Sequence, residues 1–352
     1  MDANLHAIDC DGHVNLPGTH VLLPYLDDYW RHTLVDREIS SLESISYPPN
    51  APITARPDWK DANGRAAMDL PSLQRDVLDR WNTSIAIVNC IYGVHLVFNI
   101  DMARAFARAL NTWIAKEWLD RDPRLRASLV LPMQHSEFAV EEIEHWAHDR
   151  RFVQALMPVM GEAPLGQRRY WPVWKACEKH GLPIGIHAGS AHRHPPTSIG
   201  WTSWYVEDYS AQSLGFQSQL ASLITEGVFQ QFPKLKAVFI ESGVTWMPAH
   251  LWRLSKFWRG VRSEVPWVDR SPMDIARDHI RLTAQPFDAP GGAITMEKIC
   301  EHLGSDQMLL YASDYPHWQF DGDAVLPADA SPGLRRKLMV DNPLATYPRL
   351  AP

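Results

Sequence analysis

The sequence predicts an α/β protein, a closed (β/α)8 TIM barrel with a long insertion between strands one and two. Three observations carry this. Eight short apolar runs are spread along the 352 residues, helical periodicity fills most of the intervals, and several runs end in polar residues able to bind a metal. Strands alternating with helices make parallel βαβ units. Eight such units favour a closed ring over an open doubly wound sheet, the runner-up. No G-x-G-x-x-G follows the first run, which weighs against a dinucleotide-binding open sheet.

The runs fall at 7–13, 84–91, 127–133, 152–159, 182–188, 236–241, 280–283 and 308–313. Most are nearly continuous in apolar residues, as strands buried on both faces are. Between them, Met102, Phe106, Ala109, Leu110, Trp113 and Trp118 recur at three- and four-residue steps and predict a helix over 101–120. Ser136 stands where it can cap a helix through 149, and Gly181 can end a helix over 171–180. Longer helices are expected over 210–231 and 245–260. Ser271-Pro272 and Ser331-Pro332 each place a cap before a first-turn proline, the second opening a last helix through 340. Residues 14–83 break the rhythm. This stretch is rich in Pro, Asp, Ser and Trp, and so long a connection is usually functional. It is expected to pass over the barrel mouth as a lid or a dimerisation segment. With no repeat or low-complexity tract, residues 1–352 are expected to form a single domain.

Composition narrows the function classes. Hydrophobic residues make up 45% and charged residues 21%, and the formal net charge is −7. That suits a soluble protein with a large core and offers no basic footprint for nucleic acid. Cys10, Cys90, Cys177 and Cys300 form no CxxC pair, so a zinc ribbon or disulfide framework has no support, and buried thiols in a reducing cytosol are expected. The N-terminal residues resemble no signal peptide, and no apolar run reaches the ~18 residues of a membrane span. A cytoplasmic protein without a membrane partner is therefore expected.

In a barrel of this kind, reactive residues sit at the C-terminal ends of strands. Run one ends in Asp11-Gly12-His13, run five in His187, run six in Glu241, and Asp314 follows run eight. Residues i and i+2 of a strand share a side, so Asp11 and His13 can both face the mouth. Each residue alone has an ordinary structural explanation. Together, at the correct ends of four strands, they point to one divalent cation, Zn²⁺, Mn²⁺ or Fe²⁺. His192 and His194, in the loop after His187, and His317 and Trp318, after Asp314, are candidate substrate contacts. His95 and Asn111 are weaker ones. No G-x-S-x-G elbow, nucleophilic cysteine context or paired-carboxylate glycosidase motif is present.

The segments IDCDGHV, IGIHAGS, FPKLKAVFIESG, YASDYPHWQFD and DNPLATYPRL resemble the amidohydrolase-2 branch of the amidohydrolase superfamily, which includes aminocarboxymuconate-semialdehyde decarboxylase. The likeness runs from Ile8 to about Leu350 and is least clear over 14–83. It implies a mononuclear metal barrel whose ion is held by Asp11, His13, His187 and Asp314, with a homodimer or homotetramer as the common assembly. Two departures stand out. The first-strand pair is often His-x-His, and Asp11-x-His13 lowers the neutral-ligand count in favour of Mn²⁺. Glu241 stands where a histidine is often found, leaving ligand, base or outer-shell roles open. Run four has no lysine to carry a bridging carbamate, in keeping with one metal ion. The resemblance implies a non-oxidative decarboxylase of an aromatic or unsaturated acid, with Asp314 handling the proton and Glu241 in the catalytic set. The alternatives are a hydrolase of an amide, lactone or carbon–carbon bond, and a barrel that only binds its ligand.

Overall fold

The computed structural model describes residues 6–48, 55–290, 294–317, 326 and 330–351. Eight parallel strands pair in chain order, β1 (Ala7–His13), β2 (Thr83–Asn89), β3 (Leu125–Val130), β4 (Phe152–Met160), β5 (Ile184–Ser190), β6 (Ala237–Ile240), β7 (Ile280–Thr283) and β8 (Leu309–Leu310). The ring closes beyond the short β8. Cys10 N donates to Tyr311 O at 3.0 Å, His13 N to Tyr315 O at 2.7 Å and Asp314 N to Asp11 O at 2.8 Å. The predicted barrel is thus the observed one. Its strands are almost wholly buried because helices cover their outer faces.

The helices follow the predicted order with shifted ends. The amphipathic helix Ile100–Ile114 continues through a wider turn to Leu119. Ser136 is not a cap. His135 holds that position, and the Ser136 hydroxyl instead donates to Arg169 O at 2.6 Å. Ser271 and Ser331 do cap, accepting from Asp274 N and Leu334 N. Gly181 ends helix Trp171–His180 with φ 64°, a left-handed conformation that glycine adopts at little cost. The helix expected over 210–231 starts earlier, as Tyr205–Thr225, and Gly227 (φ 78°) separates it from Val228–Gln231. Among the described residues, no helix is long and apolar enough to cross a membrane.

The excursion between β1 and β2 lies partly across the mouth. Ser190 N, at the end of β5, donates to Ile45 O at 2.8 Å. Across the ring, Ala55 bridges His317, and Trp59 packs on Tyr315 with ring centroids 5.0 Å apart. A Cβ on Gly189 would stand 2.3 Å from the Ile45 side chain, so the missing side chain is what lets this segment seat. At the opposite end of the chain, Arg349 donates to the carbonyls of Ala147, Asp149, Phe152 and His180. It pins the C-terminal segment beneath β4 and β5.

Candidate metal centre

β1 delivers Asp11 and His13 on one side of the strand, and β5 delivers His187; all three are buried. Glu241 and Asp314 lie just past the regular pairing of β6 and β8. Both have positive φ, 57° and 54°, rare for residues with a side chain and concentrated at functional sites. Side-chain and backbone bonds brace these turns. Glu241 N donates to Thr283 Oγ1 at 2.9 Å. Asp9, one inward position below Asp11, accepts from Ser313 N at 2.9 Å and Asp11 N at 3.2 Å.

The functional groups converge. His13 Nε2 lies 3.5 Å from Asp11 Oδ1 and 3.1 Å from Asp314 Oδ1. His187 Nε2 lies 3.9 Å from Asp11 Oδ1 and 3.6 Å from Glu241 Oε2. His317 Nδ1 is 2.8 Å from Asp314 Oδ1 and 3.7 Å from Glu241 Oε1. Two sets of atoms each lie mutually within 4.8 Å, Asp11–His13–His187 and His13–Glu241–Asp314–His317. His13 belongs to both.

The atoms left over fit a cation. His187 Nδ1 must donate to Ala188 O at 2.7 Å, because a carbonyl only accepts. That leaves Nε2 as a bare lone pair, buried and without a hydrogen-bond partner among the described residues, the state a metal-binding imidazole requires. Asp11 Oδ2 and Asp314 Oδ2 are likewise buried and unbonded among the described residues. Three carboxylates gathered in a buried cluster repel one another, and His317 alone does not offset them; a bound cation would.

The protonation pattern follows. Burial, then the neighbouring His13 ring, pushes His187 down to about 3. Burial, then His317, also lowers His13. Both rings are neutral and able to ligate. Burial, then Asp314 and Glu241, holds Asp11 well above the carboxylate range, a conflict that a bound cation would relieve. Burial opposes charge on His317 too, but the Asp314 and Glu241 carboxylates outweigh it and raise it to about 10. The same pairing, working against burial, keeps Asp314 low. A proton therefore rests on His317, bonded to Asp314.

The remaining sequence candidates scatter. His317 joins the centre. His192 sits half-buried in the loop after β5 with φ 54°, edge-on to Tyr47 at 5.7 Å. His194 is exposed, bonded to Glu162 O at 3.0 Å, and stands apart. Trp318 lies outside the described residues. Asn111 is structural, tying its helix to Val130 O and to Glu142, and His95 is buried near Met133 and Tyr170. Two residues escaped the sequence reading. Tyr209, in the first turns of helix Tyr205–Thr225, donates to Glu241 Oε1 at 2.6 Å, and with Tyr205 it walls the cavity over the centre. Asn89 donates to Asp11 Oδ1 at 2.7 Å. It is the last residue of β2, so the search for polar strand ends finds it once the strand is ended two residues earlier than predicted.

The sequence profile described as Amidohydrolase matches residues 8–349. A gamma-resorcylate decarboxylase from Rhodococcus jostii is 23% identical over 302 residues, covering 77% of this chain and 86% of its own. An amidohydrolase from Mycobacterium avium subsp. paratuberculosis superposes with a TM-score of 0.73 at 21% identity, over 97% of this chain and 99% of its own. A dihydroxybenzoic acid decarboxylase from Polaromonas, solved with bound manganese and the inhibitor 2-nitroresorcinol, gives 0.68 at 17% identity, over 99% and 98%. With a family profile matched over nearly its whole length on an eight-stranded barrel, this chain belongs to the amidohydrolase family.

Proposed function

We propose that the protein is a metal-dependent, non-oxidative decarboxylase of a hydroxylated aromatic acid. The observation that carries the reading is the pairing of a bare, cation-ready His187 Nε2 among carboxylates with a proton-bearing His317 on Asp314, 2.8 Å away. One half suits an anionic chelating substrate, and the other supplies the proton such a reaction consumes. The curated relatives act on gamma-resorcylate and the manganese-bound neighbour on dihydroxybenzoic acid, which supports the same substrate class. A cation held by Asp11, His13, His187 and Asp314 would supply a template and charge sink for a carboxylate and an adjacent phenolic oxygen.

This chain's residues do the rest. Ile45, Ile91, Ala188, Tyr205 and Tyr209 line the space above the centre and suit a flat ring. The proton held on His317 passes through Asp314 to the ring carbon that bears the carboxylate. The carbon–carboxylate bond then breaks, its electron pair restores the ring, and carbon dioxide leaves. Each turnover consumes one proton, drawn from solvent through His317. Glu241, held by Tyr209, keeps a carboxylate beside His13, Asp314 and His317.

A panel of hydroxybenzoates with carbon dioxide detection tests this. Carbon dioxide release without uptake of oxygen-18 from labelled water is the expected result. Oxygen-18 incorporation would instead identify a hydrolase, and tight metal binding without turnover a ligand-binding barrel.

A further inference from the structure

Beneath the centre runs a line of polar side chains that none of the chemistry above uses. Asn89 on β2, Ser128 on β3 and Gln154 on β4, with Tyr347 from the C-terminal segment, are all wholly buried. Interior positions of such barrels are usually filled by branched apolar residues, and buried polar groups destabilise a core unless every one is bonded. Here they are bonded in series. The Tyr347 hydroxyl donates to Gln154 Oε1 at 3.3 Å. Gln154 Nε2 donates to Ser128 Oγ at 2.7 Å and, more weakly, to Asn89 Oδ1 at 3.5 Å, and Ser128 Oγ donates to Asn89 Oδ1 at 2.5 Å. Asn89 Nδ2 donates to Asp11 Oδ1 at 2.7 Å.

The direction of this series is fixed by chemistry. When Asp11 holds a cation it is ionised and can only accept, so Asn89 must turn its NH2 group to Asp11 and its oxygen to Ser128. That forces the serine hydroxyl to donate to Asn89 and leaves its lone pair for the Gln154 NH2. Every donor therefore points at one carboxylate oxygen, the one that also faces His13 and His187 at 3.5 and 3.9 Å. The backbone makes room for the line: a Cβ on Gly185 of β5 would lie 2.9 Å from Gln154 Oε1.

We infer that Tyr347, Gln154, Ser128 and Asn89 form a one-way hydrogen-bond relay that positions Asp11 for the cation, so that metal affinity is set partly from the barrel interior and the C-terminal segment. This rests on the metal-centre reading above. The four are positioning residues acting through Asp11. Outer partners of metal ligands commonly change affinity by about 10–100-fold when lost. Removing the Asn89 donor acts on the ligand directly, whereas removing Gln154 acts only through Ser128 and, at 3.5 Å, through Asn89.

Titration of the metal-free full-length protein with Mn²⁺, followed by the electron paramagnetic resonance signal of the free ion, tests this apart from activity. Asn89→Leu should bind Mn²⁺ about 10–100-fold more weakly than wild type, with Ser128→Ala and Gln154→Leu successively closer to wild type. Circular dichroism and melting temperature establish that each variant is folded. Affinity within about twofold of wild type in folded Asn89→Leu would overturn the relay. If Asn89→Leu does not fold, the two more distant variants decide by the same criterion. Wild-type protein that binds no Mn²⁺ would overturn the metal-centre reading itself, and the relay with it.

Discussion

Removing the cation should lower the melting temperature by about 4 °C, a shift that follows from the composition of the centre and the size of the chain. In the metal-free protein Asp11 is held above the usual carboxylate range by burial, then by Asp314 and Glu241. A bound cation replaces that proton and binds only the folded chain. At about 100 times its Kd it adds about 2.7 kcal/mol to folding. Unfolding entropy near about 2.1 cal/mol/K per residue gives ~0.7 kcal/mol/K for 352 residues, hence the shift of about 4 °C. The assay is calorimetry on protein dialysed against a chelator and then titrated with Mn²⁺ at several pH values. Because cation and proton compete for Asp11, affinity should rise with pH, by up to about tenfold per unit, until the pH reaches the raised Asp11 value. A melting temperature unchanged within about 1 °C at saturating Mn²⁺ and Zn²⁺, or an affinity that falls with pH, would refute the reasoning.

Asp314→Asn should cut turnover by roughly 10²–10⁴-fold, the range of a lost acid–base group. The fold should survive, because asparagine tolerates the φ of 54° at this position; full activity would remove Asp314 from the proton path. Glu241→Gln separates two roles by elemental analysis and rate: retained metal with lost rate makes it catalytic, lost metal makes it a ligand. Gly189→Ala places a Cβ 2.3 Å from Ile45 at φ 139°. It should cost on the order of 2–4 kcal/mol and expose residues 14–83 to limited proteolysis, and an unchanged digestion pattern would contradict the seating described above. His95 is pushed down to about 4 by burial, against about 6.5 when unfolded. The folded state therefore favours the neutral ring, and this contribution is intact above the unfolded value and lost as pH falls. At about 1.4 kcal/mol per unit, wild type should lose about 3 kcal/mol more than His95→Leu on going to about pH 4.5. Parallel losses in denaturant titrations of both proteins would count against it.

The barrel was legible because each strand is a short apolar run and each interval carries a helical period, signals that depend on local burial alone. Strand ends were less so. Run eight was expected through Ser313, yet regular pairing stops at Leu310, because the backbone beyond turns to reach the left-handed Asp314. The same holds at Glu241. A left-handed aspartate or glutamate has no mark in sequence, since nothing about the residue type demands that conformation. The centre itself was visible as polar residues closing apolar runs, which placed Asp11, His13, His187, Glu241 and Asp314 correctly as neighbours. Tyr209 was hidden because it arrives from a helix, where an isolated tyrosine reads as packing. His194 shows the converse: nearness to His187 along a loop does not bring it into the cluster around His13.

Glu241 shows how a departure in one residue is absorbed by its surroundings. A histidine at the end of β6 would bring a neutral ring, whereas the carboxylate brings another negative charge beside Asp11 and Asp314. Tyr209 meets that charge with a hydroxyl at 2.6 Å. Burial and then the Glu241 charge hold the phenol well above its usual pKa, so it remains a donor. His317, protonated and 3.7 Å away, meets it from the other side. The result is a centre richer in oxygen than in nitrogen donors. Carboxylate ligands favour Mn²⁺ relative to an imidazole-rich set, so in a competition for metal-free protein the Mn²⁺-to-Zn²⁺ affinity ratio should be higher in wild type than in Glu241→Gln.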